Sequence, residues 1–276
     1  MTDVRIAFVA FLVASVSLSG CLSGETDTSP ADLRLATTTS MRDSGLLDVL
    51  LDEFTTLTNY SVEYVAVGTG AALRLGEQGD VDALIVHAPD LETSFIEAGH
   101  GTNRTLVAWN AFVLLSPSLN GTTLDEAFLD IYRNERCFVS RGDFSGTHEK
   151  EQAIWHRLAA NHNVELVEDH NGLHPDGDWY FSIGQGMGAA INMADEKRCT
   201  TLSDWGTALN FQSQISLNRY TFNDTLLYNP YSYIPVSGMD HPAVGALQSY
   251  LVNEGRHTIA SFTIEGEAAF FLPDQP

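Results

Sequence analysis

Lysine is almost missing from this chain. Only Lys150 and Lys197 occur, against twelve arginines, and these 14 basic residues face 36 Asp and Glu for a net charge of -22. No basic stripe is left to meet phosphates, which excludes nucleic acid as a partner. Cysteine is scarce too: Cys21, Cys137 and Cys199 are the three, and no Cys/His spacing reads as a zinc site. No apolar run reaches the roughly 20 residues that a bilayer span needs. The Gly-x-Ser-x-Gly elbow of hydrolases and the Gly-Lys-Ser/Thr of phosphate-binding loops are both absent.

What is present is a chain of 276 residues, 44% hydrophobic and 10% aromatic, enough to fill real cores. Starvation for Lys beside a wealth of carboxylates predicts a salt-adapted, haloarchaeal-like protein whose surface stays hydrated in concentrated salt. The alternative is a merely acidic protein from an ordinary cell. Such a charge does not forbid an anionic ligand. At 1 M salt the Debye length is about 3 Å, so only groups lining a pocket decide its affinity.

Residues Ile6 to Leu18 form an apolar run ending in Leu18-Ser19-Gly20-Cys21. Its length suits a signal-peptide core, predicting residues 1–20 as a signal peptide. Leu-Ser-Gly-Cys resembles a lipobox, which would make Cys21 the lipidated first residue of the mature chain. An uncleaved anchor or a plain signal peptide is the other reading. Ser, Thr, Gly, Asp and Pro dominate up to Asp32, which predicts a flexible tether over 21–32. An extracytoplasmic, membrane-anchored protein follows. There a disulfide between Cys137 and Cys199 is permitted; two free buried thiols is the open alternative.

From Leu33 onward strand-like and helix-like segments alternate, which predicts an α/β fold with a parallel sheet. Leu33–Ala36 reads as a strand. Leu46, Leu47, Leu50, Leu51 and Phe54 place a helix over about 44–57. Ser61–Val67 alternates as a strand, Gly68-Thr69-Gly70 opens a helix, and Val81–Val86 is a buried strand. A second set follows: a strand at Cys137–Ser140, helices from about Thr147, Ala189 and Trp205, and an apolar stretch from Leu226 to Val236 that returns to the first set. His241–Phe262 has helical periodicity.

Two strand-to-helix turns share one design. Ala36-Thr37-Thr38-Thr39-Ser40 and Ser140-Arg141-Gly142-Asp143-Phe144-Ser145-Gly146-Thr147 each set hydroxyls and free N–H groups at a helix start, where the macrodipole favours an anion. Arg141 adds a permanent charge and a planar fork of donors. Gly68-Thr69-Gly70 is a third wall. Each alone is most simply an N-cap; together they point to an oxyanion receptor. Asp143 reads as a turn cap more than as a partner of Arg141, and His87 as a satisfied strand-end histidine. Asp80 and Asp82 read as a solvated turn and strand entry, not as a metal site, and Gly184-Gln185-Gly186-Met187-Gly188 as a backbone lining a cleft. Ser145 beside His148 is the one hint of an enzyme, and neighbours in sequence rarely form a relay.

These motifs, with Asp43-Ser44-Gly45-Leu46-Leu47, Leu75-Gly76-Glu77, Val86-His87-Ala88-Pro89, Tyr228-Asn229-Pro230-Tyr231 and Gly266-Glu267, resemble the tungstate-binding proteins of Tup-type ABC importers over nearly the whole chain from Leu33 to Pro273. The resemblance implies a periplasmic-binding-protein fold of type II, an α/β architecture of two lobes joined by two crossover segments around a ligand cleft. Lobe 1 would comprise 33–110 plus 229–276, and lobe 2 would comprise 111–228. It implies Thr38, Thr39, Ser40 and Thr69 on one wall, and Ser140, Arg141, Ser145 and Thr147 on the other. The ligand would be tungstate, or molybdate, with no cofactor. The partners would be an ABC permease and its ATPase, and the chain would act as a monomer and not as an enzyme. Phe144 departs from the smaller polar residue expected there. A phosphate or sulfate receptor of the same fold and a sensory anion-binding module are the rival readings.

Overall fold

The structure, a computed structural model, describes residues 31–273. The expected signal peptide, Cys21 and most of the tether lie outside the described residues. The chain enters through β1 (Leu33–Thr38), α1 (Thr39–Asp43), α2 (Leu46–Thr58), β2 (Val62–Val67), α3 (Thr69–Gln78), β3 (Ala83–Val86) and α4 (Pro89–Glu97). β1 runs between β2 and β3, parallel to both, with Leu33 opposite Val62 and Leu35 opposite Ala83. Its own side chains are almost all buried, as a parallel strand covered on both faces requires.

The helix expected over about 44–57 is α2, and a short helix that was not expected, α1, precedes it. Thr38 accepts the Met41 N–H through its hydroxyl and so starts α1 early. Gly45, at φ +81, then breaks the chain before α2. Leu46, Leu47, Leu50, Leu51 and Phe54 are all buried on one face of α2, as their spacing dictates. Asp82 stands at the entry to β3, as expected. Its carboxylate takes the Arg34 backbone N–H at 2.7 Å and pairs with the guanidinium at 2.9 Å.

β4 (Thr105–Ser116) is twelve residues long and serves two neighbourhoods. α5 (Leu124–Arg133), β5 (Phe138–Ser140), α6 (Gly146–His162), the short β6 (Val167–Asp169) and β7 (Gly172–His174), β8 (Tyr180–Ser182), α7 (Met187–Lys197), β9 (Thr200–Asp204), α8 (Trp205–Phe211) and β10 (Asn218–Tyr220) follow. The chain returns in β11 (Tyr228–Pro235) and closes with α9 (Pro242–Val252), α10 (Gly255–Ser261), β12 (Thr263–Ile264) and β13 (Glu267–Ala268). The periodicity of 241–262 thus belongs to two helices, separated at Asn253, whose backbone is not helical.

The strands join in the order β2-β1-β3-β11-β4-β9-β5-β8, with β10 also on β4. The first part of β4 pairs with β11 up to Ala111, and from Phe112 it pairs with β9, so one strand carries the chain from one half of the sheet to the other. Leu35, Phe54, Tyr231 and Leu247 share one core beneath the first half; Phe112, Phe128, Trp155 and Leu202 share another beneath the second. Cys137 and Cys199 are joined by a disulfide, with Cα atoms 4.6 Å apart, just before β5 and β9 begin to run side by side.

Candidate functional site

Three helix starts converge on one small cavity. β1 delivers Thr38, Thr39 and Ser40, and Thr38 Oγ1 lies 3.1 Å from Ser40 Oγ. α3 starts at Thr69 after Gly68, which offers no side-chain cap, so its first N–H groups stay open. α6 starts after Ser145, whose hydroxyl reaches the His148 N–H only loosely, at 3.5 Å. Thr38, Thr39, Ser40, Gly68, Thr69, His87, Arg141, Ser145, Gly146 and Thr147 line the cavity, of which about 20 Å³ accepts the centre of a water-sized sphere. Thr69 is 5% exposed and its hydroxyl oxygen has no hydrogen-bond partner. A buried hydroxyl without a protein partner that faces a cavity is free to donate into it.

Seven of the eight residues expected at the site therefore meet. Ser140 does not join them. It is buried behind the turn, where its Oγ accepts the Gly142 N–H at 3.2 Å and it hydrogen-bonds Glu151. At the end of β5, hydrogen-bonded to β8, it belongs to the strand interior; the turn reaches the cavity only from Arg141 on.

Arg141 is 13% exposed and grips Asp143 Oδ2 through Nε at 3.1 Å and Nη2 at 2.5 Å. Asp143 Oδ1 accepts the Ser145 N–H at 3.2 Å. Asp143 thus both orients the arginine and caps the turn, where the sequence suggested chiefly the cap. Gly142, at φ +59, has no room for a side chain: a Cβ there would collide with Ser182 Oγ. Phe144 also adopts positive φ, and its ring is 62% exposed, outside the cavity and against His148. Its large side chain is compatible with the turn because only its backbone points inward, donating to His148 Nδ1 at 3.0 Å. His148 Nε2 meets Gln152 at 2.8 Å. Both imidazole nitrogens are therefore engaged, and Ser145 and His148 form no relay.

His87 is the satisfied strand-end histidine the sequence suggested, and it also lines the cavity, which was not expected of it. It is buried at the end of β3, with Nε2 3.2 Å from Ser40 Oγ and Nδ1 2.7 Å from Asn229 Oδ1. Asn229 in turn donates to Asn110 Oδ1 at 2.7 Å. Burial pushes the imidazole down to about 4, and the Lys150 and Arg141 charges act in the same direction against the Asn229 hydrogen bond. The ring is neutral. A signal existed: ligands of open α/β sheets gather at the carboxyl ends of strands, where His87 stands.

A wider cavity of about 550 Å³ shares Thr39, Ser40 and Arg141 with the small one. Gly186, Met187 and Gly188 at the start of α7 form its far wall, beside Asp204, whose carboxyl is raised by burial. The glycine-rich run thus does border a cleft. Among the described residues no group of three or more His, Cys, Asp or Glu could hold a metal ion. The small cavity offers hydroxyls, three helix N-termini and one guanidinium. That set complements a compact anion bearing acceptors on every side.

The family model of the PBP superfamily domain matches residues 23–254. The tungstate-binding protein TupA of Peptoclostridium acidaminophilum is 39% identical over 243 residues, 83% of this chain and 80% of that protein. Among solved structures, the tungstate-binding protein TupA of Desulfovibrio alaskensis G20 superposes with a TM-score of 0.74 at 34% identity, covering 88% of this chain and 99% of that one. The tungstate ABC transporter structure from Geobacter sulfurreducens gives a TM-score of 0.67 at 38% identity, covering 83% and 98%. The two-lobed α/β fold expected from the motifs is that of these relatives, and the chain belongs to the PBP superfamily and, within it, to the family of TupA tungstate-binding proteins.

Proposed function

We propose that this chain is the extracytoplasmic solute-binding subunit of an ABC importer, taking up tungstate, with molybdate as the nearest alternative, and handing it to a membrane permease driven by its ATPase. The observation that carries the reading is the unpartnered Thr69 hydroxyl, set among three helix N-termini and Arg141 in one small cavity. Thr38, Thr39, Ser40, Thr69, Arg141, Ser145 and Thr147 supply the donors. The lobes comprise 33–110 with 229–276, and 111–228, joined where β4 and the segment entering β11 cross. The chain acts as a monomer, anchored through a lipid on Cys21, and turns nothing over.

The -22 charge leaves this site accessible only if salt screens the surface, so the protein works in concentrated salt. Dialysis to low salt should then abolish its cooperative unfolding transition. A phosphate receptor would need a free acceptor for the phosphate proton. Asp143 is the carboxylate at hand, and both of its oxygens are occupied by Arg141 and the Ser145 N–H. Calorimetric titration with tungstate, molybdate, sulfate and phosphate in molar salt tests the reading. Heat with phosphate and none with tungstate or molybdate would sink it.

A further inference from the structure

We infer that His87 is a working part of the oxyanion site, and that capture of a fully deprotonated oxyanion is completed by uptake of one proton at His87 Nε2. The inference rests on the oxyanion reading above and concerns a residue outside the hydroxyl set.

The buried hydrogen-bond chain fixes where the resting proton sits. Asn229 Nδ2 donates to Asn110 Oδ1 at 2.7 Å and lies 3.2 Å from the Tyr231 hydroxyl, so Asn229 turns its carbonyl oxygen to the imidazole. His87 Nδ1 therefore carries the ring proton and donates it over 2.7 Å. Nε2 is left as a bare acceptor, 3.2 Å from Ser40 Oγ. Ser40 has one hydroxyl proton, and in the resting site it serves Nε2. Thr38 Oγ1 accepts the Met41 N–H and sends its own proton to Ser40. The Tyr231 hydroxyl also bonds Ser40, but it carries a proton of its own and needs none from Ser40. The hydroxyl protons thus run away from the cavity, toward the imidazole.

A dianion reverses that demand. All its oxygens accept, so Ser40 must turn its proton into the cavity, and Nε2 loses its Ser40 donor. A buried acceptor without a donor is unfavourable. A proton on Nε2 resolves the conflict: the imidazolium donates to Ser40 Oγ, and Ser40 donates to the anion. The proton comes from solvent, and no bond of the anion breaks.

Charge favours the same outcome. Around the ring stand Arg141 with its partner Asp143 from the turn before α6, Lys150 and Glu149 from α6, Asp90 from α4, and the Tyr231 ring at 4.8 Å from β11. Burial and the two cations hold the resting imidazole neutral. A dianion in the shared cavity offsets both cations and favours the imidazolium.

The sign follows from the higher affinity of the bound state for the proton. The gain in affinity is complete below the resting imidazole pKa of about 4. It falls, by at most about tenfold per pH unit for one proton, as pH rises to the imidazole pKa of the complex, and above that value it is gone. Titration calorimetry of the full chain with sodium tungstate, near neutral pH and in buffers of small and large ionisation enthalpy, counts the proton directly. Net uptake is expected in the wild type, and its loss in His87→Gln, whose Kd should also become flat between neutral and mildly alkaline pH. Histidine 15N resonances of the unsubstituted protein supply a second readout, in which Nε2 passes from bare to protonated on addition of tungstate. Heats that do not depend on the buffer, an unmoved Nε2 resonance, or uptake that survives in His87→Gln would each overturn the inference while leaving the oxyanion site standing. No binding of tungstate, molybdate, sulfate or phosphate would overturn the site itself.

Discussion

Replacing Arg141 by alanine tests the site most directly, because among the described residues Arg141 is the only cation lining the small cavity. Its side chain is 13% exposed, so little water stands ready to replace it. Hydrogen bonds from a charged donor are worth about 1.5–3 kcal/mol, which predicts a rise in Kd of roughly ten- to a hundredfold. A second effect adds to the first. Asp143 Oδ2 takes both of its guanidinium contacts from Arg141, so the truncation frees a negative oxygen beside the anion. Adding Asp143→Asn to Arg141→Ala should therefore recover part of the lost affinity, whereas Asp143→Asn alone should loosen the fork and weaken binding modestly. Arg141→Lys keeps the charge without the two-point geometry and should fall between wild type and alanine. Calorimetry in molar salt, with a melting curve for each variant, reads all four. An Arg141→Ala protein that binds tungstate within about twofold of wild type would refute the placement of the site. A double variant weaker than the single one would refute the repulsion account.

Thr69→Val removes a buried hydroxyl that has no partner in the structure, so the ligand-free protein should melt at the same temperature or higher while tungstate binds less tightly. Equal losses of stability and affinity would count against an open donor at that position. Glu151 is buried against the Tyr180 hydroxyl at 2.5 Å and Trp155 Nε1 at 3.2 Å, and burial raises it from 4.5 to about 7. A carboxyl raised in the folded state lends stability that is fully present below its unfolded pKa and is lost as pH rises through about 7. That contribution is about 3 kcal/mol and should vanish in Glu151→Gln, as the difference between the two stability profiles from pH 4 to 8 will show. Gly146→Ala would set a Cβ 3.1 Å from His87 Cε1, across the cavity wall. Crowding of about 1–3 kcal/mol should outweigh the helix gain of up to about 1 kcal/mol and appear mainly as weaker binding; unchanged affinity would show that the two walls do not close on each other.

Much of this site was legible because its parts are local. Ser145 and Thr147 sit at a helix start that the sequence already placed at about Thr147, Thr38 lies in a turn leading from strand to helix, and hydroxyls at such positions have one direction to face. Arg141 stood out as a cation within a turn. Ser140 was expected in the cavity and the place of His87 in its lining was not, for a common reason. Whether a residue at the end of a strand faces a cleft or a core depends on its neighbours in the sheet, and those come from distant sequence. Ser140 is turned to Glu151 and Gly142, while His87 is held by Asn229, 142 residues away. The short α1 went unseen because its five residues hold only one buried apolar side chain, Met41, too few to show a period.

The sequence by itself determined the class of fold, since alternating periodicities leave few arrangements other than layered α/β. It also determined the chemical character of the walls, because hydroxyls, glycine turns and an arginine at helix starts are acceptor-seeking wherever they are placed. Tertiary structure alone decided that three such starts share one cavity of about 20 Å³, that Asp143 binds Arg141 as well as capping the turn, and that a neutral histidine backs Ser40. Helix periodicity is a short-range property of the chain. Convergence of its ends is set by the sheet order β2-β1-β3-β11-β4-β9-β5-β8, in which strands far apart in sequence become neighbours.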